Sequence, residues 1–430
     1  MNYKYKVLAI DGWTLGANNF ERLCEPLSKL NIEILLIHLG SYGDEVRTSK
    51  SEKIGKLNVR DISYYNGLNY EKILKLESPD LVIFLSTETF LHRAFIRYCN
   101  KLKIPTLYHF HGILSIIYME YTKKGVNINK HYNISIIAHL FFILKRIPKA
   151  IQYTLLIYFK SLIKTQATLN DYLILFKDIL YGFLGKKNQK SSFDSITTYC
   201  AVFIPQDVNY AEKKCGIKKE NILVIGNPDF VKFGLEDTML GVRLGNNNTL
   251  NEVIYIETAL FINGLHFKTI DDYINYLLIF KIKLNELGYK LIIKPHPSTV
   301  HEKHHLIMQN MGLLLCDNSN FISNLLNCKA CICEPSSLFL IPAMIGANIF
   351  LPKFGELQSQ LYSDLVLSYP RSFLLTDIND LSTILDVQYD NKNIIESKIW
   401  IQSNSGPKPL SNLGERVSNF IFEIITCKFK

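Results

Sequence analysis

The chain has no Asp-x-Asp triplet, no Gly-x-x-x-x-Gly-Lys-Ser/Thr loop and no Gly-x-Ser-x-Gly elbow. A metal-bound diphosphate, a P-loop NTPase and a serine hydrolase are therefore unsupported. Gly12 and Gly16, which follow the first strand-like run, lack the spacing of a dinucleotide fingerprint. The N-terminus, Met1 to Lys6, has neither an apolar signal core nor a small-residue cleavage site, so a cytoplasmic protein is expected. Basic residues do not alternate with aromatics in a recognition pattern, which argues against a nucleic-acid partner. Nothing in the sequence calls for a metal or a cofactor.

What remains is a folding chain. It has 430 residues, of which 48% are hydrophobic and 20% charged, enough for two domains and too apolar for disorder. Lys and Arg exceed Asp and Glu by 48 to 39, a net +9, which suits an anionic partner without choosing among phosphate, membrane and nucleic acid. Nine cysteines are scattered through apolar runs, as reduced core thiols are. The tightest group is Cys328, Cys331 and Cys333, and no fourth ligand stands near it to complete a metal site.

Strand-like and helix-like segments alternate over the first 112 residues. The strands at 6–10, 32–38, 57–62, 80–85 and 104–108 predict a parallel, doubly wound half. The pattern breaks over 113–190, and 134–164 is apolar, aromatic and basic without one acid. Its apolar runs fall short of the roughly 18 residues that a spanning helix needs. A helical insertion packed on the protein and an amphipathic surface resting on an anionic membrane both fit it. Strands return at 201–205 and 221–225, and Gly226-Asn227-Pro228 turns the chain out of the first half. The expected organisation is a first domain over 1–235, a linker over 236–251 and a second α/β domain over 252–400. A final helix over 401–430 is expected to cross back to the first domain.

Two strand ends in the second half carry chemistry. The run ending at Ile293 stops at Lys294-Pro295-His296-Pro297, and the run ending at Cys333 stops at Glu334-Pro335-Ser336-Ser337. Two prolines hold one imidazole in a rigid turn. Pro and Ser prepare a helix N-terminus whose N–H groups and hydroxyls suit a phosphate. Lys294, His296, Pro297, Glu334, Ser336 and Ser337 are therefore the candidate donor-binding residues. Three residues compete for the role of general base. His111 precedes Gly112 after a first-half strand, and Asp11 and Glu257 each end an apolar strand.

Together these features resemble the bacterial GT-B glycosyltransferases of surface polysaccharide synthesis. The sialyltransferase and polysialyltransferase-like enzymes are similar through their His-Pro and Ser-Ser motifs. The CDP-glycerol glycerophosphotransferases are similar through His-Gly and a later His-Pro. The resemblance spans 80–112 and 200–370 and leaves 113–190 uncovered. It implies two doubly wound parallel-sheet domains facing a cleft, with a helical insertion in the first. It also implies a metal-independent transferase moving a sugar from a nucleotide donor, foremost a CMP-activated acidic sugar such as sialic acid. The acceptor would be a glycan or lipid-linked glycan in capsule or lipopolysaccharide synthesis. His296 would contact the donor phosphate and Ser336 and Ser337 would hold it. The paired-acid-Gly motif of the sialyltransferases has only partial matches here, Asp11-Gly12 and Glu257-Thr258. The glycerophosphotransferase pattern would make His111 the base. A sugar-nucleotide epimerase shares the same architecture. The 134–164 stretch would place the enzyme on the inner face of the cell membrane.

Overall fold

The computed structural model describes residues 3–12, 16–42, 49–67, 69–113, 154–183, 196–245, 250–258, 260–261, 266–301, 303–387 and 390–426. They form two compact α/β units. The first takes in the described residues up to 112, then 154–183, 196–225 and 412–426, and the second takes in Ile113 and the described residues of 226–411.

The first unit is built on an eight-stranded sheet. Its strands are β1 (Tyr5–Asp11), β2 (Ile32–His38), β3 (Ser51–Ile54), β4 (Leu57–Asp61), β5 (Leu81–Phe84), β6 (Thr106–His109), β7 (Tyr199–Val202) and β8 (Ile222–Val224). Their order is β3-β4-β2-β1-β5-β6-β7-β8. All neighbours are parallel except β3 and β4, which form an antiparallel edge hairpin. Helices on both faces leave the central strands no solvent side, hence the unbroken apolar runs Val7 to Ile10 and Leu81 to Phe84, all fully buried.

The second unit carries β9 (Glu252–Ile256), β10 (Lys290–Lys294), β11 (Leu314–Leu315), β12 (Ala330–Cys333), β13 (Ile349–Pro352) and β14 (Ser372–Leu375). They lie in the order β11-β10-β9-β12-β13-β14, every pair parallel. The long helix Ile270–Glu286 covers one face through Tyr273, Tyr276, Leu277 and Phe280. It starts at a reciprocal cap: Asp272 N–H donates to Thr269 Oγ1 at 3.1 Å, and Thr269 N–H to Asp272 Oδ2 at 3.0 Å.

Within the stretch expected as a linker, the described part of 236–251 is packed on the second unit. The N–H groups of Gly241 and Arg243 donate to the carbonyls of Met344 and Ile345 at 2.8 and 2.9 Å. The Arg243 guanidinium is buried against the carbonyls of Leu325, Cys328 and Lys329. A loop rich in Gly and Asn is thus fastened by its one arginine. The C-terminal helix Leu413–Thr426 is part of the first unit, and its Arg416 Nε donates to Ile225 O at 2.8 Å.

Two helices within 113–190 are described, Leu156–Lys164 and Leu169–Phe183. Both dock on helix Phe90–Lys101 through two buried arginines. Arg93 donates to Asp178 Oδ2 and to the Tyr158 hydroxyl, each at 2.6 Å, and stacks on the Tyr158 ring at 4.5 Å. Arg97 Nε donates to Thr165 Oγ1 at 2.9 Å and pairs with Asp171 at 3.6 Å. The two acids of the pair therefore turn inward. Leu156, Phe159, Ile163, Leu169, Leu173 and Phe176 are exposed, beside exposed Lys160, Lys164 and Lys177. The basic-aromatic stretch before Thr154 lies outside the described residues.

Candidate functional site

In a doubly wound sheet the ligand crevice lies beyond the carboxyl ends of the strands, where their order reverses. In the second unit the order reverses between β9 and β12. Each neighbouring strand delivers a polar residue there. The residue Glu257 follows β9, His296 follows β10, and Glu334 with Ser336 follows β12. Ile256 is in register with both Lys294 and Cys333, so the three ends are level. Five of the sequence candidates, namely Lys294, His296, Glu257, Glu334 and Ser336, thus converge on one edge. Ser337 continues from Ser336 and is half-buried, while Pro297 is exposed at the start of helix Pro297–His301.

Two carboxyls lie buried in this edge. Glu334 accepts four hydrogen bonds: from the hydroxyls of Tyr255 at 2.7 Å and Tyr273 at 3.0 Å, and from the N–H and hydroxyl of Thr258, both at 2.7 Å. Four donors fit an ionised carboxylate, which can only accept. Burial nevertheless raises its pKa above the usual value. Glu257 accepts the His296 N–H at 2.8 Å and fastens the Pro-His-Pro turn to the end of β9. Burial, and then the charge of Glu334, push Glu257 up to about 7, against the pull of the His296 N–H and the Thr299 and Tyr273 hydroxyls. Of the two, Glu257 is the one that holds a proton near neutrality.

The cations are arranged differently. The Lys294 ammonium is buried, donates to Pro295 O at 3.1 Å, and lies 5.6 Å from the ring centres of both Phe233 and Phe321. Burial lowers its pKa. Burial, followed by the charges of Lys294 and Lys232, drops His296 to about 4, so its imidazole is neutral at pH 7. Ser336 Oγ accepts the Leu338 N–H at 3.1 Å and caps the turn Ser337–Phe339. Its own O–H proton is then directed elsewhere. Neutral N–H and O–H donors beside a buried positive charge suit an anionic oxygen.

In the first unit the order reverses between β1 and β5. There the structure places the other two candidates. Asp11 ends β1; its Oδ1 accepts the Gly12 N–H at 2.8 Å, and its Oδ2 lies so near Gly16 that a Cβ there would stand 1.5 Å away. Asp11 is buried, as is Glu257. His111 is exposed and reaches back to the end of β5, with Nδ1 2.8 Å from Leu85 O. A carbonyl can only accept, so Nδ1 carries the hydrogen and the lone pair of the neutral ring sits on Nε2. Desolvation by the surrounding protein holds His111 below the ordinary imidazole value, although the ring reaches solvent and the Leu85 carbonyl pulls the other way. His109 points into the core beside Phe203, with its pKa far below the ordinary value through burial. His109 is the last residue of β6 and is enclosed, whereas His111 lies two residues beyond, outside the strand, and is exposed.

Sequence reading missed Tyr255, Tyr273 and Thr258. Tyr255 lies in β9, whose residues 253–256 are buried on both faces, and Tyr273 comes from the following helix. The signal was the aromatic at the first turn of a helix that leaves the same strand.

No protein-family model and no curated protein sequence matches the chain. Solved structures do share its fold. The calicheamicin glycosyltransferase CalG4 aligns over 100% of both chains at 11% identity, with a TM-score of 0.54. The wall teichoic acid polymerase TagF aligns over 99% of this chain and 90% of its own at 13% identity, with a TM-score of 0.51. The chain therefore has the GT-B architecture of two parallel-sheet α/β units.

Proposed function

We propose that the protein is a glycosyltransferase that uses a nucleotide-activated sugar, with the donor held by the second unit. The observation that carries this reading is the convergence of Lys294, His296 and Ser336 at adjacent strand ends beside the order reversal of the second sheet. Neutral His296 and Ser336, with Ser337 beside it, donate to the donor's phosphate. Lys294 acts through its field from beneath, where low polarisability strengthens it. His111 is the base, because it alone of the three candidates is exposed and has its acceptor nitrogen defined by a partner. Glu257 acts instead by fixing the His296 turn, and Asp11 by shaping the loop at Gly16.

In the transfer step His111 Nε2 takes the proton of an acceptor hydroxyl, whose oxygen bonds the anomeric carbon. The bond from that carbon to the phosphate oxygen breaks, and the nucleotide leaves with the electron pair. The added negative charge falls on oxygens facing His296 and Ser336. The step needs no metal. The favoured donor is a CMP-activated acidic sugar such as sialic acid, and the acceptor is a glycan or lipid-linked glycan of capsule or lipopolysaccharide. A second reading, transfer of glycerol phosphate, draws support from TagF, one structure of which was obtained with CDPG and aligns with a TM-score of 0.51.

The apolar stripes of helices Leu156–Lys164 and Leu169–Phe183, with their outward lysines and inward acids, support a peripheral seat on an anionic bilayer. No helix among the described residues is long and apolar enough to cross a membrane.

Incubating the protein with CMP-, CDP- and UDP-linked donors, with and without glycan acceptors, tests the reading. Acceptor-dependent release of CMP from a CMP-sugar supports the first reading. Release of CMP from CDP-glycerol supports the second. Acceptor-free conversion of a UDP-sugar to its epimer overturns both. Binding to phosphatidylglycerol vesicles that survives Leu169→Ser, Leu173→Ser and Phe176→Ser together would remove the membrane seat.

A further inference from the structure

The turn that leads into β12 holds a feature the transfer chemistry does not use. Cys328 ends helix Phe321–Asn327 and Cys331 lies in β12, a Cys-x-x-Cys spacing. Both side chains are completely buried, and their sulfurs are 3.9 Å apart. Arg243 lies over the pair. Its Nη1 is 3.5 Å from Cys328 Sγ, while the guanidinium also donates to Leu325 O at 3.0 Å, Cys328 O at 2.5 Å and Lys329 O at 3.1 Å. These bonds fix the cation where a thiolate on Cys328 would lie.

We infer that Cys328 and Cys331 are a dithiol oxidation site that closes to a reversible intrachain disulfide, with Arg243 stabilising the attacking thiolate. Burial pushes both thiols up, but the S–H of Cys331 and the Arg243 guanidinium overcome it at Cys328, which is held below the ordinary value. Cys331 stays high, raised by burial and by Cys328. The pair is thus divided into a thiolate-prone member and a thiol, the asymmetry that redox dithiols use.

The oxidant is hydrogen peroxide. Cys328 sulfur attacks one peroxide oxygen, the O–O bond breaks, and the leaving hydroxide takes up the thiol's proton as water. Cys331 sulfur then attacks the sulfenic sulfur of Cys328. The S–S bond forms and the sulfenic hydroxyl leaves with the Cys331 proton as a second water. Two electrons pass from the sulfurs to the peroxide, and a dithiol such as dithiothreitol returns them. Closing 3.9 Å to a bond of about 2 Å ties the end of a helix to the strand that leads into Glu334. Because both sulfurs are covered, peroxide reaches them only through local opening of the surrounding core, and the reaction is slow.

Lys329 between the two cysteines makes the test direct. Trypsin leaves Cys328 on peptide 304–329 and Cys331 on peptide 330–353. Full-length native protein is treated with peroxide, quenched with an alkylating agent, digested without reductant and sequenced by mass spectrometry. The expected product is the two peptides joined through Cys328 and Cys331, about 2 Da lighter than the sum of the free thiol forms and released by dithiothreitol. The joined product should persist in Cys316→Ser/Cys333→Ser, vanish in Cys331→Ser, and form several-fold more slowly in Arg243→Gln. Unjoined peptides after prolonged native treatment, or a joined product that survives Cys331→Ser, overturn the inference. Should Arg243→Gln unfold, the cysteine variants alone decide it.

Discussion

Replacing Glu257 with Gln should change how stability depends on pH, and the sign follows from the buried edge of the second sheet. In the unfolded chain Glu257 titrates near the ordinary value of 4.5, and in the fold it is pushed up to about 7. Between these values the folded state holds a proton that the unfolded state has released. Stability from this group is therefore lost as pH rises from about 4.5 to about 7. Raising the titration from 4.5 to about 7 corresponds to about 3 kcal/mol at most, at about 1.36 kcal/mol per pH unit. His296 runs the other way. Its imidazole titrates at 6.5 unfolded and about 4 folded, so stability is lost as pH falls through that interval. His92, buried and also lowered to about 4, adds to the histidine side. In the native protein the two histidines outweigh the single carboxyl between pH 4.5 and 6.5, so the Glu257 contribution emerges only by comparison with the variant. Gln keeps an oxygen for the His296 N–H and removes the titration. Denaturant unfolding of both proteins from pH 4 to 8 gives the difference, native minus variant, in which the unrelated groups drop out. It should fall by about 3 kcal/mol from pH 4.5 to 7, and the variant alone should become more stable over pH 4.5 to 6.5. A difference that stays flat, or that rises with pH, would refute the assignment of the proton to Glu257.

Three further outcomes are expected. Arg93→Leu leaves Asp178 buried without its cation and should cost about 3 kcal/mol, with faster hydrogen exchange across 169–183; adding Asp178→Leu should restore part of it. Gly16→Ala places a Cβ 1.5 Å from Asp11 Oδ2, so the carboxylate must swing away, and denaturation should report a loss of about 2 kcal/mol. His111→Gln should lower the transfer rate by roughly 10²–10⁴ while leaving the nucleotide dissociation constant unchanged, as steady-state kinetics beside calorimetry would show.

Much of this was written locally. Strands buried on both faces read as unbroken apolar runs, so β1, β5, β9, β10 and β12 were visible within a residue or two. So were the polar turns that end them, since Pro and Ser punctuate a chain whatever surrounds it. Strand order was not visible, because parallel pairing is decided by crossovers that leave no mark on either strand. That is why the meeting of Glu257 with the His296 turn could not be foreseen: it depends on β9 lying between β10 and β12. The short edge strands Ser51–Ile54 and Ser372–Leu375 also escaped notice, being half exposed and without a run to betray them. Nothing local to Arg93 and Arg97 marks them as buried. Only the docking of two later helices makes them interior, and the stretch 236–251 gave no hint that Arg243 anchors it.

The arginine clasp on helix Phe90–Lys101 sets a rule for anyone who would exchange parts among enzymes of this architecture. The helical pair 156–183 resembles a detachable module, since it interrupts an otherwise regular alternation of strands and helices. It is not one. Excising it alone strands two guanidiniums and the apolar side of a host helix in the open, while transplanting it alone delivers two acids with no cation to meet them. The unit of inheritance, and of any chimera, is the pair together with helix Phe90–Lys101. A graft that respects this carries the lysine-studded outer face with it and leaves the edge of the second sheet as it was.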